Sequence, residues 1–180
     1  MASPVLAFAQ LANECEKEGL SAKNAERIAG EIAKIFNVHA DEVGILKLDR
    51  QNLVFTSPRQ LGQVGSIPLN TGGSVAARTA NTKRAEVINN LAQAKHISVF
   101  ESVELSGKPK PLGGHASDSD KQAHVIQKMM SAPVVGQEGV LGVVQVCRKG
   151  PSGPTAGPDF SPADLQRLVA ICGALGKCFK

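Results

Sequence analysis

Tryptophan and tyrosine are missing from this 180-residue chain, and phenylalanine occurs only six times. Proteins that hold single-stranded nucleic acid stack bases on aromatic rings, so the raw material for such a platform is lacking. Basic residues exceed acidic ones by 20 to 16, for a net charge of +4 and a sequence pI near 9.0. The cations are interleaved with acids and form no stripe, so the charge favours solubility and no nucleic-acid partner is expected. Long apolar runs are also lacking. The segment from Gly139 to Cys147 falls far short of the roughly 20 residues that cross a bilayer as a helix, so no membrane association is expected. The opening Met1-Ala2-Ser3-Pro4-Val5 lacks the basic start and apolar run of a secretory signal, which predicts a cytoplasmic protein.

No CxxC spacing connects the four cysteines, Cys15, Cys147, Cys172 and Cys178, which read as buried thiols in a reducing compartment. His39, His96, His115 and His124 form neither an HxH nor an HxxxH pair, so no metal site is expected. Ser-His-Asp patterns and paired-carboxylate motifs are absent, and Gly72-Gly73 is not followed by the Gly-Lys-Ser/Thr of a phosphate-binding loop. With 42% apolar residues the chain supports one core, and one domain with appended helices is the expected organisation.

What is present alternates between helical and extended spacing. Ser3-Pro4 opens a helix whose Val5, Phe8, Ala12 and Cys15 make a narrow stripe, ended by Gly19. A second helix starts at Ser21 and carries Ala25, Ile28, Ile32, Ile35 and Phe36 on its apolar face. Period-two alternation from Val43, a turn at Asp49-Arg50-Gln51-Asn52, and Leu53-Val54-Phe55 predict a hairpin. A short strand at 66–69 leads through Asn70-Thr71-Gly72-Gly73-Ser74 into a helix from Val75 to Thr79. Val87, Ile88 and Leu91 predict a further short helix and then an irregular loop. Residues 106–121, rich in Gly, Pro, Ser, Asp and Lys, predict a mobile surface insertion. Strands at 129–135 and 140–148, apolar on both faces, predict a central hairpin. A Gly/Pro-dense linker follows, then Ser161-Pro162-Ala163-Asp164, an N-cap, a first-turn proline and a capping box. Leu165, Leu168, Val169, Cys172, Leu175 and Phe179 form the stripe of the closing helix.

Thr71-Gly72-Gly73-Ser74 at a helix start offers free backbone amides and a favourable dipole to a phosphate or carboxylate, and the glycines allow close approach. The same residues also read as an ordinary turn with a serine N-cap. Arg78 suits bidentate pairing with an anion, or a plain exposed helix face.

The order of these elements, with Leu69-Asn70-Thr71-Gly72-Gly73-Ser74-Val75-Ala76-Ala77-Arg78-Thr79, Glu138-Gly139-Val140-Leu141-Gly142-Val143-Val144-Gln145-Val146 and Phe160-Ser161-Pro162-Ala163-Asp164, resembles the GAF domain family over about residues 21–175. The resemblance implies an α+β fold: a central antiparallel β-sheet of about five to six strands, N- and C-terminal helices on one face, and a pocket roofed by loops and helices on the other. It implies a domain at 21–180, preceded by a helix at 1–20 that contributes a dimer contact. It also implies a sensory module without catalysis, which binds a small molecule and signals through its terminal helices. Asn89, Asn90, His96 and Ser98 fall where that family lines its pocket, and join Asn70, Thr71, Gly72, Gly73, Ser74 and Arg78 as expected ligand-binding residues. The ligand and any cofactor stay unspecified.

Cyclic-nucleotide members carry N-K and then F-x-x-x-D-E. Here Lys149, Phe160 and Asp164 match, while Arg148 replaces the asparagine and Leu165 the glutamate. Bilin- and haem-binding members need a thiol or an axial ligand beside the pocket, for which Cys147 and His96 are the only candidates, and the scarcity of aromatic rings speaks against a large planar chromophore. One enzymatic branch, the free methionine sulfoxide reductases, needs several cysteines in its middle loops, whereas residues 16–146 contain none. The second functional reading is a ligand-free, homodimeric interaction module in which the Val5/Phe8/Ala12/Cys15 stripe meets the Leu165–Phe179 helix of another copy.

Overall fold

A computed structural model describes residues 4–63, 65–91 and 125–179. The order is α1 (Pro4–Glu18), α2 (Ala22–Phe36), β1 (Val43–Asp49), β2 (Asn52–Ser57), α3 (Arg59–Gly62), β3 (Ser66–Pro68), α4 (Val75–Thr82), β4 (Glu86–Ile88), β5 (Ile126–Val135), β6 (Val140–Lys149) and α5 (Pro162–Leu175), followed by a 3-10 turn, Gly176–Phe179. The strands form one six-stranded antiparallel sheet in the order β3-β2-β1-β6-β5-β4. The expected α+β architecture is present, with β1 and β6 in the middle of the sheet and β5 between β6 and the edge strand β4.

Alternation along the central strands divides the core in two. Met130, Ala132, Val134, Val144 and Val146 face α1, α2 and α5, while Met129, Val143 and Cys147 face α3 and α4. Gly142 on β6 has no room for a Cβ, which would fall 2.2 Å from the Leu46 carbonyl oxygen and 2.5 Å from the Phe179 ring. The terminal 3-10 turn thus seats its phenylalanine directly on bare strand backbone.

Helix ends form where the caps predict. Ser21 Oγ accepts from Asn24 N at 3.2 Å, and α2 closes at Asn37, whose φ of 51° is left-handed. Arg148 then donates to the carbonyls of Phe36 and Asn37 at 3.0 and 3.3 Å, satisfying acceptors that the helix itself leaves open. At α5, Ser161 Oγ accepts from Asp164 N, and an Asp164 carboxylate oxygen accepts from Ser161 N at 2.9 Å.

That Ser161 backbone bond, chiefly, holds the Asp164 pKa below its ordinary 3.8. A depressed carboxylate contributes stability above its unfolded pKa and loses it as pH falls through the folded one. Asp164→Ala is therefore expected to cost about 1 kcal/mol at pH 7. The difference from wild type should shrink below pH 3.8, as urea titrations followed by far-UV circular dichroism would show.

Three expectations are corrected. Val87 and Ile88 lie in a strand, β4, not a helix: Glu86, Val87 and Ile88 pair with Ser131, Met130 and Met129 of β5. Adjacent β-branched residues beside an open strand edge favour that pairing over a helical turn. The Phe8/Ala12/Cys15 stripe is fully buried within one chain, in the core it shares with Leu168, Ile171, Cys172, Leu175, Cys178 and Phe179. It is used to attach α1 to its own closing helix, so it is not the face that a second copy meets. Val169, placed in the α5 stripe by sequence, points outward at 47% exposure, and Ile171 takes the inward position.

Candidate functional site

β3 ends at Pro68, and the chain turns back towards the sheet through Leu69–Ser74. Thr71 N donates to the Pro68 carbonyl at 2.9 Å, and Gly73, at φ 81°, takes a conformation that a side chain would strain. Buried Ser74 caps α4 by accepting from Ala77 N at 3.2 Å. Asn81, near the C-terminal end of α4, donates to the Leu69 carbonyl at 2.6 Å and ties the loop to the helix. Between them lies a solvent-open cleft of about 360 Å³, lined by Leu69 to Ser74 with Arg78, Asn81 and Thr82.

Six of the sequence-predicted residues, Asn70, Thr71, Gly72, Gly73, Ser74 and Arg78, meet at this cleft. Asn89 and Asn90 do not line it, and His96 and Ser98 lie outside the described residues, as does the 106–121 segment. Arg78 is half exposed and makes a bidentate pair with Glu86 of β4, at 2.9 and 2.8 Å. Its charge is thereby matched, so the cleft offers amides, hydroxyls and a neutralised guanidinium in place of a free cation. That donor set suits a polar ligand better than a highly charged one.

Asn89 is occupied elsewhere. Its Nδ2 donates to the Phe160 carbonyl at 3.1 Å, and its Oδ1 accepts from Phe160 N at 2.9 Å. One amide thus clamps the residue that directly precedes the α5 cap.

Beneath α4 the apolar contact is interrupted by three buried polar side chains. Thr79 Oγ1 and Ser131 Oγ are 2.7 Å apart, and Gln145 Nε2 reaches Ser131 Oγ at 3.5 Å. Sequence reasoning passed over this trio and the cleft residues Asn81 and Thr82. Ser131 and Gln145 did carry a signal, each being a lone polar residue within an apolar strand run.

The positions that match the cyclic-nucleotide signature hold the fold together. Arg148 stacks 4.7 Å from the Phe160 ring centre, Lys149 pairs with Asp41 at 3.3 Å, and Asp164 caps α5. Among the described residues, no group of three or more His, Cys, Asp or Glu side chains is arranged to hold a metal, and no helix is long and apolar enough to cross a membrane. No disulfide joins the four cysteines, all of which are buried. Burial pushes the Cys172 thiol up to about 12.

A six-stranded antiparallel sheet, with terminal helices on one face and a short helix entered through a Gly-rich loop on the other, defines the GAF/PAS-like class of α+β modules. Residues 23–179 match the GAF domain, and the chain belongs to that family of generally sensory and regulatory small-molecule-binding domains. The structure is similar to the GAF domain of an Acinetobacter phosphoenolpyruvate-protein phosphotransferase, with TM-score 0.64, 16% identity and coverage of 99% of this chain and 94% of that one. The corresponding domain from Coxiella burnetii gives 0.61 at 10% identity, covering 98% and 94%. Free methionine-R-sulfoxide reductase from Neisseria meningitidis, solved with its substrate, gives 0.58 at 15% identity, covering 99% and 92%. These likenesses show the fold. No curated protein matches the chain in sequence.

Proposed function

We propose that this chain is a non-catalytic sensory domain in which a small polar metabolite, bound at the cleft between the Asn70–Ser74 loop and α4, alters the position of α5. The observation that carries the reading is a pair of polar contacts, joined through the backbone of β4, that leads from cleft to closing helix. Arg78 lines the cleft and grips Glu86; three residues beyond Glu86, Asn89 grips the backbone of Phe160; and Phe160 leads into the Ser161 cap of α5. A ligand that takes a hydrogen bond from Arg78 weakens its hold on Glu86, so the two contacts share one source of strain.

Thiol catalysis is disfavoured by composition and placement. Only Cys147 of the four cysteines belongs to the α4 side of the core, and residues 16–146 supply no second thiol.

The test is a thermal-shift screen against nucleotides, amino acids and carboxylic-acid metabolites, followed by far-UV circular dichroism because the chain has no Trp or Tyr. A true ligand raises the Tm with concentration. Gly72, with open space around its Cβ position, accepts a side chain without a clash, so Gly72→Phe should keep its fold and bind a hit at least about tenfold more weakly. A screen without hits, or a hit indifferent to Gly72→Phe, contradicts the reading.

A homodimer through the terminal helices is the second reading, favoured by Leu6 on α1 and Val169 on α5, exposed at 60% and 47%. The contact would use their outer surfaces, since the inner stripe is occupied. Light scattering of Leu6→Asp/Val169→Asp should give a monomer where wild type gives a dimer; a monomeric wild type removes this reading.

A further inference from the structure

Away from the cleft, two nucleophilic side chains meet in the helix-covered core. Cys15 lies in α1 and Cys178 in the terminal 3-10 turn; both are completely buried. The Cys178 sulfur is 3.5 Å from the carbonyl oxygen of Ala12, one helical turn before Cys15 on the same buried face, and each thiol is close enough to influence the other's protonation. The site is built by its surroundings: Phe179 is wedged against Gly142, which holds the turn and its cysteine against α1.

We infer that Cys15 and Cys178 are a reversible disulfide pair, oxidised by low-molecular-weight disulfides, whose closure staples α1 to the C-terminal turn. Because the turn that carries Cys178 already packs on the Ala12–Cys15 face of α1, the two sulfurs can join without rearrangement of the sheet. Neither belongs to the α4 side of the core, so the pair operates whatever occupies the cleft.

Burial keeps both groups in the thiol form while the turn is closed, raising Cys15 and pushing Cys178 up to about 11. Reaction therefore follows local opening of the turn. Arg27 favours the thiolate of Cys15, which makes Cys15 the attacking group once the turn has opened. Its thiolate attacks one sulfur of the disulfide RSSR, forming a mixed disulfide and releasing RS⁻. As the turn recloses, the Cys178 thiolate attacks the Cys15 sulfur and expels a second RS⁻. The two thiol protons pass to the two RS⁻ groups; the protein loses two hydrogens and RSSR becomes two RSH.

The experiment exposes the reduced full chain to oxidised glutathione, then denatures it, alkylates it with N-ethylmaleimide and measures intact mass. The expected product has lost two hydrogens and carries two maleimide adducts where the reduced chain carries four, and peptide mapping joins Cys15 to Cys178. Dithiothreitol reverses it, and the oxidised form melts about 5–15 °C higher. Phe179→Ala, which loosens the turn while retaining both thiols, should oxidise about tenfold faster or more. Alkylation of all four cysteines in wild type and in Phe179→Ala overturns the inference, as does a crosslink to Cys172 or between two chains.

Discussion

Gly142→Ala is expected to destabilise the fold more than any other single methyl addition, by about 3 kcal/mol or more. The added carbon would stand 2.2 Å from the Leu46 carbonyl oxygen, where ordinary contact requires well over 3 Å, and 2.5 Å from the Phe179 ring. A flexible side chain would move aside at small cost. A carbonyl in β1 cannot, because Lys47 and Gly142 are register partners at the centre of the sheet. Relief would require parting β1 from β6 or expelling Phe179, and with it Cys178, from the core. Urea unfolding followed by far-UV circular dichroism measures the loss. A change under about 1 kcal/mol would mean that this approach is looser than the structure shows.

The second large effect is Phe8→Asp. Phe8 is 1% exposed, in a core shared by α1, α2 and α5. Removing its ring costs about 3–5 kcal/mol, and the incoming carboxylate would be buried without a counter-charge, which adds to the loss. Unfolding or a strongly lowered urea midpoint is therefore expected, with Leu6→Asp, on the exposed side of the same helix, changing stability by less than about 0.5 kcal/mol. The pair of variants separates two roles for the stripe. An intramolecular α1 gives this outcome, whereas an α1 docked only on a second copy would give a folded Phe8→Asp monomer with an unchanged midpoint.

Local signals in the sequence carried much of the architecture. Ser21 and the Ser161-Pro162-Asp164 box mark helix starts because capping depends on residues three apart, and the apolar β5–β6 hairpin is recognisable because a central strand buries both faces. β4 is not legible in the sequence because three residues carry no period of their own; its state is decided by the β5 edge some forty positions later. The α1 stripe resembles an interface in sequence because an apolar stripe specifies that something must cover it, and never which copy. The site divides in the same way. The loop from Asn70 to Ser74 shows itself through glycine and a cap, but Arg78–Glu86 and above all Asn89–Phe160, 71 positions apart, are pairings that only the folded chain creates. Asn89 was singled out for its amide chemistry, and that chemistry is directed at the backbone before α5.

The central claim is that the cleft and the closing helix are coupled through Asn89. The most direct measurement is amide NMR of the full chain while metabolites from the screen are added, in wild type and in Asn89→Ala. A ligand which shifts the Thr71–Ser74 amides is expected also to shift those of Phe160–Asp164 in wild type, and the second set of shifts should be lost in Asn89→Ala while the first remains. Shifts confined to the cleft in wild type, or unchanged at Phe160–Asp164 after Asn89→Ala, would contradict it.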